Sequence, residues 1–93
     1  MIRHTVLMRF TDPADAAEAK ARLDGLLGVV PTLLSMQVDL DVLRTDASYD
    51  LALVSTHEDL AGLKAYQEHP VHVEQLGWLR PRLAARAVVD AEA

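Results

Sequence analysis

Two sets of residues alternate along the first ten positions of the chain, one mostly apolar and the other mostly polar. One side of this pattern holds Ile2, His4, Val6, Met8 and Phe10. A period of two predicts a β-strand over residues 2–10. Similar alternation predicts a second strand over residues 35–42, a third over 49–56 and a fourth over 83–89.

In the segments between these predicted strands, apolar residues recur at the spacing of a helix. Asp12 followed by Pro13 predicts the start of a first helix, because the carboxylate can accept first-turn N–H groups and proline suits the first helical position. We expect that helix to end at Pro31, or earlier at Gly25 and Gly28. Its buried face is predicted to comprise Ala16, Ala19, Leu23, Leu26, Leu27 and Val30.

A second helix is expected after the third strand, with Thr56 as its cap. The pair His69 and Pro70 should break it, and Pro70 can begin a short third helix that runs through Trp78. His57 is expected to face solvent at the start of the second helix.

The element order is therefore strand, helix, strand, strand, helix, strand. It predicts one α+β domain over residues 1–93, with the ferredoxin-like βαββαβ arrangement and an antiparallel four-stranded sheet. Helices cover one sheet face and leave the apolar residues of the other face open. These are Leu7, Ala52, Val54 and some of Ala85, Ala87 and Val89. Because soluble monomers rarely expose such a patch, we expect a homodimer packed sheet to sheet.

Composition and net charge limit the classes of partner and site that the protein can have. The 93 residues carry a formal net charge of -5 and no basic cluster, which argues against nucleic acid or a membrane surface as partner. The absence of cysteine excludes disulfides, thiolate zinc sites and a thiol nucleophile. Neither a long apolar run nor a signal-peptide pattern is present, so we expect a cytoplasmic protein.

Candidate chemistry concentrates between Tyr66 and Val73. His72 falls in the first turn of the predicted third helix, where the positive end of the helix dipole favours a neutral imidazole that can act as a base. Tyr66 lies one turn before the break and could hold the His72 tautomer or donate to an oxyanion. His4 should face the helices and line any pocket there.

Structural roles compete with each of these assignments. His69 beside a proline is more often a helix cap, His4 a satisfied core residue, and Tyr66 a packed ring. His69 and His72 stand three apart, but no carboxylate occupies an obvious third-ligand position, so we predict no metal. No phosphate loop or dinucleotide fingerprint occurs, and no cofactor is predicted.

Four segments together resemble one known family. They are IRHTVLMRF at 2–10, YDLALV at 49–54, the Tyr66-x-x-His69-Pro70-x-His72 motif and RAVVD at 86–90. Over nearly the full chain the sequence resembles the stress-responsive A/B barrel (Dabb) family, whose members are dimeric α/β barrels. The family includes plant stress proteins and polyketide cyclases of the olivetolic acid cyclase type.

In those cyclases, a His and Tyr pair drives an intramolecular aldol condensation without a cofactor. The resemblance implies catalytic roles for His72, Tyr66 and His4. Two further cyclase positions, a His and a Tyr, fall here at Leu51 and near Leu23, which implies a more apolar pocket. Candidate substrate-binding residues are Leu23, Leu51, Trp78 and His69.

Two hypotheses follow. In the first, each protomer of a homodimer binds a small apolar carbonyl compound between sheet and helices and performs acid-base chemistry of the cyclase or lyase type. In the second, the dimer is a non-catalytic stress or ligand-binding protein, and the His and Tyr residues only join the helices.

Overall fold

In the computed structural model, which describes residues 1–93, the predicted alternation appears as four β-strands. They are β1 (Ile2–Phe10), β2 (Ser35–Leu40), β3 (Leu51–His57) and β4 (Leu83–Glu92). The helices are α1 (Asp15–Asp24), α2 (Leu60–Glu68) and α3 (Pro70–Leu79), and a 3₁₀ turn at Arg80–Arg82 leads into β4.

The strands form one antiparallel sheet in the order β2-β3-β1-β4. In this register Val6 of β1 lies between Leu53 of β3 and Val88 of β4, and His4 lies between Ser55 and Asp90. Because side chains alternate along a strand, all of these residues point to the face that the helices cover. The predicted ferredoxin-like βαββαβ fold is confirmed.

The first helix is shorter than the sequence pattern predicts. It begins at Asp15, because the Asp12 carboxylate accepts the Ala14 N–H at 3.0 Å in a turn that precedes the helix. It ends at Asp24 with Gly25 as its cap, and Gly28 then adopts a φ of 86°, which glycine tolerates without strain. Of the two predicted ends, the earlier one at Gly25 is observed and the continuation to Pro31 is wrong. Leu26 and Val30 are buried as predicted, but Leu27 is exposed, because the chain beyond Gly25 no longer follows the helical spacing.

The second helix begins later than expected, and this places His57 in the interior. Asp59, not Thr56, caps α2 by accepting the Gly62 N–H at 2.7 Å. β3 consequently extends to His57, which points toward the helices and is fully buried. The expectation that His57 faces solvent is wrong.

The core lies between the sheet and the helices. α1 contributes the small side chains of Ala16 and Ala19 to it, and these let the helix approach the sheet closely. The opposite sheet face has no helix over it, and there Leu7, Ala52 and Val54 are only half buried. None of the helices is both long and apolar enough to cross a membrane.

The close approach of α1 predicts an asymmetric response to added volume. Ala19 is completely buried, so Ala19→Leu should lower the free energy of unfolding by about 1–3 kcal/mol, measured by urea denaturation. Ala17→Leu, on the exposed side of the same helix, should change it by less than about 0.5 kcal/mol. Equal effects of the two variants would contradict this packing.

Candidate functional site

The break between α2 and α3 creates the site. His69 has an extended backbone conformation (φ -63°, ψ 135°) and ends α2, and Pro70 occupies the first turn of α3. The His69 Nδ1 accepts the Val71 N–H at 3.2 Å. In a continuous helix that N–H would bind the carbonyl of Gln67 four residues earlier, so the break leaves the Gln67 carbonyl without its helical donor.

The freed carbonyl determines the tautomer of His72. The Nδ1–H of His72 donates to the Gln67 carbonyl oxygen at 3.0 Å, so in the neutral ring Nε2 carries the lone pair. Nε2 makes no hydrogen bond within the chain and is not sealed from solvent. It is therefore the atom of this ring that can accept a proton.

Burial and nearby positive charge keep His72 neutral. Burial lowers the pKa of His72 below its usual 6.5; the bond to Gln67 opposes this, while His4, Arg86 and Arg80 lower it further. Desolvation and nearby cations disfavour the charged imidazolium, whereas a hydrogen bond from its Nδ1–H favours it. At neutral pH the imidazole is a base with a defined accepting atom.

Four rings form a row from the cavity toward the far end of the sheet, which we call the ring row: His72, Tyr66, His57 and His4. Successive centroids lie 4.4 Å apart for His72 and Tyr66, 4.9 Å for Tyr66 and His57, and 6.4 Å for His57 and His4. The spacing brings Tyr66 and His72 into contact across the helix break, without a hydrogen bond between them.

Both nitrogens of His57 are hydrogen-bonded. Its Nδ1–H donates to the Thr32 carbonyl at 2.9 Å, and its Nε2 accepts from the Ser55 hydroxyl at 2.9 Å. Burial lowers the pKa of His57, so this ring is also neutral. At the end of the row, His4 Nδ1 pairs with the Asp90 carboxylate.

Tyr66 supplies the phenol of the ring row. Its side chain is buried, its hydroxyl makes no hydrogen bond within the chain, and that oxygen is not sealed from solvent. Burial raises the pKa of Tyr66 to about 12, against the opposing charge of Arg86. The phenol therefore stays protonated and available as a donor.

A cavity of about 300 Å³ lies between the sheet and α3, at the end of the ring row that His72 occupies. Its wall is lined by Met8, Gln67, His72, Leu76, Leu79, Arg80, Leu83 and Arg86. This volume is at the lower end of the range of small-molecule pockets. The cavity thus combines an apolar floor with one imidazole and two guanidinium groups.

Of the predicted site residues only His72 lines this cavity, and Tyr66 lies behind its ring, outside the cavity wall. Leu23 and Leu51 are packed in the core, and His69 acts as the cap of α3. Trp78 is half buried between the guanidinium groups of Arg22 and Arg82, at 4.5 and 4.3 Å from its ring centroid. His4 is two helix-facing positions away from Met8 along β1, at the inner end of the ring row.

Sequence reasoning missed His57, Gln67, Arg80 and Arg86. His57 continues the alternation of β3, which was a usable signal. The role of Gln67 lies in its backbone carbonyl, so its residue type carries no signal. No three His, Asp or Glu side chains come together as a set of metal ligands.

The fold and the ring row define a ferredoxin-like α+β domain with imidazoles and a phenol under its helices. The family model of the stress-responsive A/B barrel domain matches residues 2–93, and the chain belongs to this family. The resemblance noted from the sequence is confirmed. No curated protein sequence matches the chain.

Solved structures agree with this assignment. A dimeric ferredoxin-like protein of unknown function from Thermobifida fusca is 30% identical, with a TM-score of 0.87 over 99% of this chain and 90% of that one. A dimeric ferredoxin-like protein from a Jannaschia species is 29% identical, with a TM-score of 0.80 over 99% and 98%. The hydroxynitrile lyase of Passiflora edulis shares the fold at 16% identity, with a TM-score of 0.82 over 97% and 90%.

The lowered pKa values of His57 and His72 predict how stability depends on pH. Both rings take up protons more readily in the unfolded chain, so folding stability should fall as pH drops through about 6.5 and level off below the folded pKa values. Urea unfolding between pH 7.5 and 5 measures this slope. His72→Gln should make the slope shallower, and an unchanged slope in this variant would contradict the assignment.

Proposed function

We propose that the protein is a cofactor-independent acid-base enzyme that acts on a small carbonyl compound bound in the cavity between sheet and α3. His72 Nε2 removes a proton from the carbon next to the carbonyl, and the electron pair moves onto oxygen to form an enolate. The Tyr66 hydroxyl donates a hydrogen bond to that oxygen. The observation that carries the proposal is the Gln67 bond, which leaves Nε2 as the proton acceptor of a neutral imidazole at the cavity wall.

The electrostatics of the site suit this step. A general base must be unprotonated at the working pH, and the pKa of His72, lowered by burial, meets this requirement at neutral pH. A phenol with a pKa of about 12 remains a donor while negative charge develops on the substrate oxygen. The guanidinium groups of Arg80 and Arg86 favour the same negative charge.

The enolate could then attack a second carbonyl of the same chain and form a carbon–carbon bond, which is the aldol step of a polyketide cyclase-like reaction. A lyase would run such a bond change in reverse. The hydroxynitrile lyase of Passiflora edulis has the same fold, so this fold carries an enzyme of the lyase kind. We assign His4 and His57 to positioning, because their polar contacts fix the inner end of the ring row.

A second candidate is a non-catalytic ligand-binding protein. Leu23 and Leu51 favour it, because they fill the space between sheet and helices where the resemblance implies polar cyclase residues. His69 and His57 also have complete structural roles. In this alternative the cavity binds a ligand, and His72 makes no difference to its chemistry.

Proton exchange separates the two candidates. With ethyl benzoylacetate in D₂O, the protein should accelerate exchange of the protons between the two carbonyls, followed by NMR. His72→Gln keeps a donor for the Gln67 carbonyl but removes the base, and should lower the enzymatic rate about 10²- to 10⁴-fold. The wild-type rate should fall on acidification, with a midpoint below pH 6.5 because the pKa of His72 is lowered.

Val73→Ala, on the exposed side of the same helix, is the matched control and should keep the wild-type rate. Tyr66→Phe should lower the rate at every pH without moving the midpoint. Ligand binding with equal exchange rates in wild type and His72→Gln would favour the non-catalytic alternative.

We further propose that the protein is a homodimer formed by the sheet face that no helix covers. Leu7, Ala52 and Val54 form the centre of this face, and the Thermobifida and Jannaschia proteins of the same fold are dimeric. Burial of apolar side chains against a second copy removes them from water. The cavity at His72 lies on the other side of the sheet, within one protomer.

Charge at the centre of this face should separate the protomers. Val54→Asp is expected to reduce the mass in solution from about twice 10.2 kDa to a single chain, measured by light scattering. Val73→Asp is the matched control, because it makes the same substitution at an exposed position of α3, away from this sheet face. It should leave the mass unchanged. A monomeric wild-type protein would contradict the proposal.

A further inference from the structure

Arg80 and Arg86 converge on the cavity from two different elements. Arg80 follows the last residue of α3 and begins the 3₁₀ turn, while Arg86 lies on the helix-facing side of β4, directly opposite Met8 of β1. Both line the cavity that His72 borders. No acidic residue lines it.

Neither guanidinium group has a partner within the chain. Arg22 and Arg44 form ion pairs with Glu18 and Asp50, and Arg82 donates to the Trp78 carbonyl, but Arg80 and Arg86 make no ion pair and no hydrogen bond. Asp90, on the same face of β4 as Arg86, is paired with His4. Two unpaired cations beside one cavity repel each other, so an anion between them is favourable.

The two arginines at the cavity contrast with the negative net charge of the whole protein. The net charge of -5 repels anions in general, yet positive charge collects at this one opening. The carbonyl oxygens at the end of α3 favour a cation and can account for Arg80. They do not account for Arg86, which comes from the sheet.

We infer that the ligand of the cavity is a carboxylic acid with an apolar tail, whose carboxylate binds Arg80 and Arg86 and whose tail lies against Leu76, Leu79 and Leu83. This inference rests on the proposed function and specifies its substrate class, a β-keto acid rather than a neutral ketone. A guanidinium group binds a carboxylate through two parallel hydrogen bonds, which fixes the orientation of the ligand. The carbon between carboxylate and carbonyl then lies in the cavity that the imidazole also lines.

The apolar lining favours such an acid over an inorganic anion. Phosphate or sulfate would satisfy the two guanidinium groups but leave the surfaces of Met8, Leu76, Leu79 and Leu83 against water. An acid with a short hydrocarbon tail satisfies both parts of the cavity. Unlike phosphate, which changes charge near neutral pH, a carboxylate keeps a single negative charge there.

Binding of two unreactive probes of equal shape tests the inference. 3-Phenylpropanoate should bind the wild-type protein at least about tenfold more tightly than 3-phenylpropanamide, measured by titration calorimetry at low salt. Arg86→Gln and Arg80→Gln should each remove most of this preference, while Arg86→Lys should retain part of it, because lysine keeps the charge but not the paired donors. Lys64→Gln removes the same charge from the exposed side of α2 and should leave the preference intact.

The outcomes distinguish this inference from the proposed function. Equal binding of acid and amide, or an acid preference unchanged in Arg86→Gln, would overturn the carboxylate inference and leave the base at His72 in place. Failure of both probes to bind would overturn it as well. Acid-selective binding without any His72-dependent proton exchange would support the carboxylate site and contradict the enzymatic step. Phosphate that displaces the acid as strongly as a longer fatty acid does would show a general anion site and count against the apolar tail.

Discussion

One hydrogen bond that the helix break makes available controls the chemistry of the site. Because the Val71 N–H is taken by His69, the Gln67 carbonyl is left for His72. A backbone oxygen two residues before the break therefore sets which nitrogen of the imidazole accepts protons. His69 stands three residues before His72 and could be taken for a second catalytic group. It instead binds the Val71 N–H and so leaves the Gln67 carbonyl free for His72.

The ring row extends this constraint across the protein. Aromatic side chains from α2, α3, β1 and β3 contact one another in sequence, and burial keeps the middle rings neutral. Polar atoms at the inner end are satisfied by Ser55, Thr32 and Asp90. The outer end is left with an unpaired nitrogen and an unpaired phenol. Satisfied groups at the inner end and an imidazole nitrogen left free at the cavity are what a positioned base requires.

Local patterns predicted the sheet well, because alternation is a property of each strand by itself. The continuation of β3 to His57 was missed, and the end of α1 was predicted only as one of two alternatives, since both depend on competition between neighbouring signals. Asp59 outcompetes Thr56 as a cap, and Gly25 ends α1 before Pro31.

The candidate site was predictable only in part. The proximity of Tyr66 and His72 follows from the break between them, and the motif around Pro70 contains that information. The convergence of Arg80 with Arg86 depends on the antiparallel pairing of β4 with β1, which joins residues far apart in the sequence. No spacing rule along the chain could find a free backbone carbonyl acceptor or a pair of guanidinium groups assembled in that way.

The packing of Trp78 has a practical consequence. It is the one tryptophan of the chain, and it lies between an arginine of α1 and an arginine that precedes β4. Its indole fluorescence therefore reports on the joint between the helical layer and the sheet without any added label. Movement of α3 during ligand entry would change the emission of this single natural fluorophore.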